Sequence, residues 1–206
     1  MGLSLELDCP TEVLPHSYPS QPQLNETEVK VTDAEIVKLH KKGVISKVTP
    51  DQKQFVSTVF ARPKKDGTHR MILNLCSLNR DITHRHFKMD TLQTSLKLVT
   101  QNCFMASTDL KDAYYSVPIV QEHKKLLRFQ RKGQLWQFEC LPNGLALAPQ
   151  KFTKLLKPVF ATLRVKGHLS TAILDDSFLL AESGQSCVKN VCDSPAFEVC
   201  RVHSAP

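Results

Sequence analysis

The sequence predicts an α+β protein in which antiparallel strands are backed by helices. Two apolar, β-rich runs flank Lys64-Lys-Asp-Gly67 and predict a hairpin with a basic tip. Two more such runs flank Arg131-Lys-Gly133 and predict a second hairpin. Apolar residues at helical spacing follow Pro149, which suits the first turn of a helix. With 206 residues, 41% of them hydrophobic and 23% charged, the chain is long enough for one or two globular domains.

The first part of the chain begins with an arm and a short helix. Residues 1–31 contain four prolines, five acidic residues and one lysine, and they are expected to form a flexible acidic arm. Thr32 and Glu35 have the spacing of a capping box, which predicts a helix that ends at Gly43. The strands of the first hairpin are expected over 55–61 and 71–75.

The second part alternates helices and strands. Asp90 is expected to cap a short helix, and Pro158 is expected to kink or end the helix that follows Pro149. The remaining strands are expected over 104–108, 126–130, 134–138, 169–174 and 177–181. The last two of these strands meet at Asp175-Asp176.

The charge distribution indicates a polyanionic partner. The formal net charge is +7, but residues 38–88 alone hold twelve lysines and arginines against three aspartates. Such a concentration of positive charge is typical of surfaces that bind nucleic acid. A solvated basic face without a partner is the alternative, and charge alone does not decide between the two.

Two absences predict where the protein resides. No apolar run approaches the roughly 18 residues of a membrane-spanning helix, so no membrane partner is expected. The first thirty residues lack the basic start and apolar stretch of a secretory signal. We therefore expect an intracellular protein, cytoplasmic or nuclear, whose seven cysteines are free thiols.

Adjacent acids between two apolar strands indicate a cation site. The flanking residues of Asp175-Asp176 are apolar, and like charges repel strongly near low-dielectric walls. Asp109 ends another predicted strand in a similar setting. Oxygen ligands at strand ends suit Mg²⁺, and two such ions can clamp the attacking and leaving oxygens of a phosphoryl transfer. An isolated Asp-Asp pair is more often a solvated turn, so the pair needs further support.

Five ordered motifs supply that support, because they resemble those of reverse transcriptases. They are Lys64-Lys-Asp-Gly-Thr-His-Arg70, Leu78-Asn79, Asp109-Leu-Lys-Asp-Ala-Tyr114, Leu141-Pro-Asn-Gly-Leu-Ala-Leu-Ala-Pro149 and Ile173-Leu-Asp-Asp176. The likeness covers about residues 32–186 and is strongest to retrotransposon enzymes of the gypsy-like and DIRS-like groups. It implies an RNA-directed DNA polymerase with fingers over about 32–88 and a palm over about 89–186, whose antiparallel sheet is backed by helices.

The resemblance also implies roles for the charged residues. Asp109 and Asp175 would hold two Mg²⁺ ions, with Asp176 beside them as a less direct ligand. The 3′ hydroxyl of a DNA primer, paired with an RNA template as an RNA–DNA hybrid, would attack the α-phosphate of a dNTP. Lys64 and Arg70 would contact the triphosphate, and Lys65 takes the place of Lys64 if the alignment shifts by one residue.

Further matched residues would shape the nucleotide pocket. The ring of Tyr114 would exclude a 2′ hydroxyl, which favours deoxynucleotides, although a core aromatic is the alternative for this residue. Ala113 and the backbone after Asp112 would line the same pocket. Asn143-Gly144 would contact the nucleotide and template, because glycine permits close backbone approach and an amide can pair with base or sugar edges. Asn143 is a less usual residue here than Gln or Phe.

The end of the chain departs from the family pattern. No later motif is matched after the Asp-Asp pair, so the thumb is expected to be absent from a truncated domain. Residues 187–206 are expected to form an irregular tail. This tail contains zinc-type ligands whose spacing fits no common zinc module, namely Cys187, Cys192, Cys200 and His203.

Two other functions stay open at this point. The first is a catalytically inactive retroelement remnant that at most binds nucleic acid, and salt-sensitive binding without incorporation would favour it. The second is an RNA-templated RNA polymerase, which Tyr114 disfavours. The sequence does not predict an oligomeric state.

Overall fold

The structure is a computed structural model and describes most of the chain. The described residues are 2–8, 18–65, 67–83, 85–89, 91–110, 112–173, 176–192 and 199–204. Only the backbone is described at 92, 94, 109, 172, 173, 176 and 199–204. The expected helix cap at Asp90 lies outside the described residues.

The chain combines helices with two sheets in which all strand pairs but one are antiparallel, which confirms the α+β class. The elements are α1 (Glu26–Lys41), β1 (Ile45–Val48), β2 (Val56–Pro63), β3 (His69–Asn74), α2 (Cys76–Arg80), α3 (Leu92–Leu96), β4 (Phe104–Asp109), a 3₁₀ helix (Ala113–Ser116), α4 (Gln121–Lys124), β5 (Arg128–Arg131), β6 (Gln134–Phe138), α5 (Ala148–Val165), β7 (Leu169–Ile173), β8 (Asp176–Ala181), α6 (Gly184–Cys192) and β9 (Val199–Ser204). No helix among the described residues has the length and apolar composition to cross a membrane.

The chain divides into two compact units. Unit 1 comprises Met1–Arg85 and Tyr114–Ala148, and unit 2 comprises His86–Ala113 and Pro149–Pro206. The first boundary between the two units falls after Arg85. Residues 114–148, expected with the palm, belong instead to the unit that contains the first hairpin.

Unit 1 is built on a five-stranded sheet with the order β1-β6-β5-β2-β3. The pairs β2–β3 and β5–β6 are antiparallel, which confirms both predicted hairpins. The hairpins join through a parallel pairing of β2 with β5, in which Val56 faces Arg128. Leu127 and Phe129 are completely buried, so the second hairpin contributes to the core of this unit.

The first helix starts earlier than predicted. Asn25 caps α1: its side chain accepts a hydrogen bond from the Glu28 N–H, and the Glu28 carboxylate accepts one from the Asn25 N–H, both at 2.9 Å. The predicted capping box at Thr32 is therefore wrong, because Thr32 lies inside the helix and is completely buried. An equivalent pair, formed by an amide at the N-cap and a carboxylate in the first turn, caps the helix seven residues earlier.

The described start of the chain packs against other segments of unit 1. The Leu3 N–H donates to the Pro118 carbonyl at 2.7 Å, and the Thr83 N–H donates to the Glu6 carbonyl at 2.9 Å. Leu5 is buried, so these bonds form beside a small apolar contact. The prediction of a flexible arm is wrong for residues 2–8, because they find backbone partners on two separate segments.

The side chain of His123 also holds residues 2–8 in place. The Leu5 N–H donates to Nδ1 of His123 at 2.8 Å, which requires that this ring nitrogen carries no proton. Burial lowers the pKa of His123, and the nearby Lys125 also lowers it, whereas Glu122 raises it. The neutral imidazole that the hydrogen bond needs is therefore also the form that burial favours.

A buried arginine connects separate segments of unit 1. Arg128 Nε donates to Oε1 of Gln137 at 2.9 Å, and Nη1 donates to Oε1 of Gln54 at 2.7 Å. A longer bond of 3.4 Å reaches the Thr49 carbonyl. Gln54 in turn donates to the hydroxyl of Tyr18 at 2.7 Å. Burial lowers the pKa of the Arg128 guanidinium, and these oxygen acceptors stabilise the charge inside the fold.

Unit 2 is built on a four-stranded antiparallel sheet with the order β7-β8-β4-β9. The pairing of β7 with β8 confirms that the two predicted strands around the acidic pair form a hairpin. The helix α5 continues past Pro158 to Val165, so the early end predicted there does not occur. The hydroxyl of Thr162 donates to the Pro158 carbonyl at 2.9 Å, within the turn that follows the proline.

The predicted irregular tail contains regular structure. Cys187 and Asn190 of α6 are buried, and the Asn190 amide donates to the Leu180 carbonyl of β8 at 3.2 Å. β9 then pairs antiparallel with β4, on the side that β8 leaves open. The prediction is wrong over these described residues, because a tail without recognised motifs can still cover a helix-sized apolar face and an unpaired strand edge.

Candidate functional site

The ends of two strands in unit 2 bring two predicted site residues together. β4 ends at Asp109 and β8 begins at Asp176, and these two residues are paired partners across the strands. Paired residues of antiparallel strands have Cα atoms about 4.5–5.5 Å apart. Asp175, the other predicted ligand, lies outside the described residues, as do the side chains of Asp109 and Asp176.

The packing behind these strand ends fixes the register. Ala106 pairs with Leu179 three positions from the two acids, and both residues are completely buried. Thr108 and Ser177, the next pair to the acids, are also buried. A shift of one residue would turn every buried side chain to the other face, so this register is strongly specified. The apolar core of unit 2 therefore keeps the two acidic positions opposite each other.

The two facing acids fit a divalent cation chemically. Like charges at directly opposite strand positions are destabilising, and a bound cation removes that cost. Carboxylate oxygens are also the ligands that Mg²⁺ prefers. Among the side chains that the structure describes, no group of three or more metal-ligand residues occurs. On α6, Cys187 is buried and Cys192 is exposed, while the side chains of Cys200 and His203 lie outside the description.

A tight turn follows β4 and carries three more predicted residues. Asp112 is exposed and has φ +56°, in the left-handed region that Asp adopts more readily than most residues. Ala113 begins the 3₁₀ helix and is buried, and Tyr114 follows it half-buried. The Tyr114 carbonyl accepts from the Val117 N–H at 3.1 Å. The turn therefore exposes Asp112 to solvent, buries Ala113 and leaves Tyr114 partly exposed.

The hairpin of β2 and β3 presents the predicted cationic residues. Its turn is closed by the Lys64 N–H, which donates to the Thr68 carbonyl at 2.6 Å, and Gly67 adopts φ +80°. Lys64, Lys65 and Arg70 are all exposed. The hairpin thus carries three positive charges at and beside its tip, as the sequence predicts.

A fourth cation on this hairpin, Arg62, is not among the residues that the sequence predicts. Arg62 pairs directly with Arg70 across the strands, and both are exposed. The Arg62 guanidinium lies 5.4 Å from the centre of the Phe60 ring, which holds it against the sheet. Opposed like charges destabilise a hairpin, and a bound polyanion would reverse that effect. Counting back from the turn by equal steps on both strands would have identified this pair.

The loop that contains Asn143 and Gly144 has a buried base and an exposed crest. Leu141, Leu145 and Leu147 are almost completely buried, whereas Asn143 and Gly144 are exposed. Gly144 has φ +91°, a conformation that favours glycine. The leucines anchor the loop in unit 1, and the two predicted residues face solvent.

Two residues without a role in the sequence prediction contact this loop. Asn79 Nδ2 donates to the Gly144 carbonyl at 2.9 Å, and Asn79 Oδ1 accepts from the Ala146 N–H at 2.8 Å. On the side-chain face, Asn143 Nδ2 donates to the hydroxyl of Tyr115 at 3.3 Å. Asn79 belongs to a matched motif, but the local sequence contains no signal that its side chain reaches residues so distant along the chain.

Comparison with protein families gives a match over most of the chain. The family model described as reverse transcriptase (RNA-dependent DNA polymerase) matches residues 62–194. The Tf2-3 and Tf2-4 transposon polyproteins of Schizosaccharomyces pombe are each 23% identical to this chain over 131 residues. That alignment covers 64% of this chain and 10% of each polyprotein. The chain thus spans about a tenth of the length of these curated relatives.

Solved structures show the same fold. The native protease–reverse transcriptase of prototype foamy virus has a TM-score of 0.74 and 20% identity, covering 87% of this chain and 23% of the viral one. The foamy viral protease–reverse transcriptase in complex with double-stranded DNA has a TM-score of 0.74 and 21% identity, covering 91% of this chain and 39% of the viral one. Both likenesses agree with the fingers and palm architecture implied by the sequence motifs.

Proposed function

The chain belongs to the reverse transcriptase (RNA-dependent DNA polymerase) family, and from this premise we propose that it transfers nucleotides from a dNTP to a primer 3′ hydroxyl on an RNA template. The observation that carries the proposal is the β4–β8 register, which pairs Asp109 with Asp176. An acid pair at strand ends is what nucleotidyl transfer requires, because the reaction needs concentrated negative charge to hold cations beside a phosphate.

Reverse transcriptases in general use divalent metal ions. We propose that Asp109 and Asp175 hold two Mg²⁺ ions and that Asp176 supports them as a less direct ligand. When bound, such ions activate the primer hydroxyl and stabilise the charge that develops on the α-phosphate. The contribution of the chain is positional: rigid strand ends present the carboxylates without reorganisation during the reaction.

The basic hairpin of unit 1 would bind the triphosphate and the nucleic-acid backbone. Lys64, Lys65 and Arg70 are exposed, so their charges are available to phosphate oxygens. Arginine can hold two phosphate oxygens at once through its planar fork, whereas lysine acts as a point charge. Arg62, opposite Arg70, adds a further cation to this surface.

The turn after β4 would select the sugar. We propose that the ring of Tyr114 excludes a 2′ hydroxyl and so favours dNTPs, with Ala113 and the backbone after Asp112 completing the pocket. Ala113 is buried, so the start of the 3₁₀ helix, directly before Tyr114, is part of the protein interior. Exclusion by a fixed ring discriminates through a clash with the wrong substrate.

The proposed nucleic-acid partner is an RNA–DNA hybrid formed by an RNA template and a DNA primer. The foamy viral enzyme described above was solved with double-stranded DNA, so a relative of this fold holds a duplex. For this chain we propose that fingers from about residue 32 to 88 and a palm from about 89 to 186 together bind the RNA–DNA hybrid.

Primer extension tests the proposal directly. The assay contains an RNA template, a DNA primer, Mg²⁺ and dNTPs, and compares the wild type with Asp109→Asn and with Asp51→Asn as a matched control on an exposed loop. We expect incorporation to fall by at least about a thousandfold in Asp109→Asn and to persist in the control. Equal incorporation by all three proteins would contradict the assignment.

The same assay separates the two alternatives. Salt-sensitive binding of hybrid by the wild type without incorporation would favour the inactive, nucleic-acid-binding remnant. A preference for ribonucleotides over dNTPs would favour the RNA polymerase and contradict the role proposed for Tyr114.

A further inference from the structure

A single side chain from α2 holds the backbone of the Asn143-Gly144 loop through two hydrogen bonds. Asn79 uses both ends of its amide: Nδ2 donates to the Gly144 carbonyl and Oδ1 accepts from the Ala146 N–H. Its neighbour Leu78 is completely buried, so α2 is fixed in the core and gives the amide a rigid base. The two bonds, at 2.9 and 2.8 Å, fall on both sides of Leu145 and so fix the path of the loop.

The exposed side chain of the same loop is held by the residue after Tyr114. The Asn143 amide donates one N–H to the Tyr115 hydroxyl at 3.3 Å. The Tyr115 ring lies against Phe138, with ring centroids 6.5 Å apart. Phe138 is buried in β6, so Tyr115 connects the exposed amide to the sheet of unit 1.

From these contacts we propose that Asn79 and Tyr115 are positioning residues for the nucleotide pocket: Asn79 fixes the loop, and Tyr115 orients the Asn143 amide before a nucleotide binds. The inference rests on the proposed function, since it names how part of that pocket is arranged. Asparagine has two N–H donors and a carbonyl oxygen, so the bond to Tyr115 leaves polar capacity for a base or sugar edge. An amide already held in one orientation loses less conformational entropy when it binds.

The side chain of Asn143 is shorter than that of the Gln more usual at this position, and the Tyr115 hydroxyl holds it in one orientation. A free Asn side chain on an exposed crest samples several rotamers, and only a fraction of them present the carbonyl and remaining N–H correctly. A bond to a ring that packs on the sheet selects one of them. A hydroxyl at position 115 is therefore part of how this chain uses Asn at position 143.

Amide exchange tests the first half of the inference without any nucleotide. The Ala146 N–H is expected to exchange slowly in the wild type and about tenfold faster in Asn79→Ala, because its acceptor is removed. Asn25→Ala is the matched control: it removes an amide that caps α1 and contacts no part of the loop. Unchanged exchange at Ala146 in Asn79→Ala would overturn the role of Asn79.

Nucleotide affinity tests the second half without turnover. A dideoxy-terminated primer on an RNA template forms a complex that binds the next dNTP but cannot extend. We expect Tyr115→Phe to weaken dNTP affinity about three- to tenfold, and Tyr18→Phe, whose hydroxyl contacts Gln54, to leave it unchanged. In an Asn143→Ala background, Tyr115→Phe should have no further effect, because the two residues act as one unit.

The outcomes distinguish this inference from the proposed function. Full additivity of Tyr115→Phe and Asn143→Ala, or unchanged affinity in Tyr115→Phe, would overturn the role of Tyr115 while the polymerase assignment stands. If the wild type binds no dNTP in the terminated complex, the proposed function fails and the role of Tyr115 fails with it. Exchange at Ala146 would still decide whether Asn79 anchors the loop.

Discussion

Substitution of Gly144 by alanine probes the loop at its most demanding backbone position. Gly144 has φ +91°, and an added Cβ would meet only the Leu73 carbonyl oxygen, at an ordinary contact distance of 3.9 Å. The cost is therefore conformational and not steric, about 1–2 kcal/mol for an L residue in a left-handed conformation. For a chain of this length, that cost lowers the Tm by roughly 2–8 °C.

Gly133→Ala provides a matched control within the same unit. Gly133 lies in the turn between β5 and β6 at φ +77°, and an added Cβ would meet nothing within 4 Å. The two variants should therefore lose similar free energies of unfolding. Only Gly144 accepts a hydrogen bond from Asn79, so only its variant should displace the exposed crest of the loop.

Urea denaturation and primer extension together decide the outcome. At a temperature where both variants are folded, we expect kcat/KM for dNTP incorporation to fall about ten- to a hundredfold in Gly144→Ala, because small misplacements of a binding group are costly. Gly133→Ala should stay within about twofold of the wild type, as expected for a surface change away from functional features. Equal losses of incorporation in both variants would refute the reasoning, as would a Gly144→Ala protein as stable as the wild type.

Three further predictions follow from other parts of unit 1. Arg128→Met removes the donor to two buried side-chain oxygens, those of Gln54 and Gln137. The free energy of unfolding, measured by urea denaturation, should fall by roughly 2–5 kcal/mol. A fall of less than about 1 kcal/mol would contradict this role of Arg128. Because burial lowers the pKa of His123, its neutral form stabilises the fold above the unfolded pKa of about 6.5, and this stability is lost as the pH falls through the lower folded pKa. Exchange of the Leu5 N–H, corrected for intrinsic rates, should therefore accelerate between pH 7.5 and pH 5, and a pH-independent rate would refute this. Replacing Lys64 and Lys65 together by Gln should reduce the slope of log K against log salt for hybrid binding by about 1–2, whereas an unchanged slope would show that neither contacts phosphate.

Local patterns in the sequence predicted much of the fold. The first hairpin could be located because apolar runs flank Lys64-Lys-Asp-Gly67, and the strands beside Asp176 could be located because apolar residues end abruptly at two acids. These features depend on neighbouring residues and on turn chemistry. Their positions therefore need no knowledge of the tertiary structure.

Long-range partners could not be predicted in the same way. The parallel pairing of β2 with β5 and the packing of Leu5 within unit 1 join segments far apart in sequence, and no local signal specifies either. The start of α1 was misplaced because Asn25 and Thr32 both begin an acceptable capping pattern. Only tertiary packing, which buries Thr32, shows that the earlier one is used.

The candidate site shows the same division. The motifs indicated Asp109, Asp176 and the Asn143-Gly144 loop as candidates, and strand pairing places the first two opposite each other. Motifs alone gave no role to Asn79 or Tyr115, because their contacts depend on where α2 and the 3₁₀ helix lie in the folded unit. Residues that position others are thus visible only once hydrogen bonds across the fold are known.

Localised cleavage by a bound metal tests the central claim most directly. With Fe²⁺ in place of Mg²⁺, and with ascorbate and peroxide added, hydroxyl radicals cut the backbone beside the metal; the reaction is run with terminated primer on RNA template and dNTP. We predict cuts next to Asp109 and next to Asp175-Asp176, both suppressed by excess Mg²⁺ and both lost in Asp109→Asn. Absence of cuts at these two strand ends, or cuts that survive Asp109→Asn, would contradict the claim that the β4–β8 register brings both strand ends to the bound metal ions.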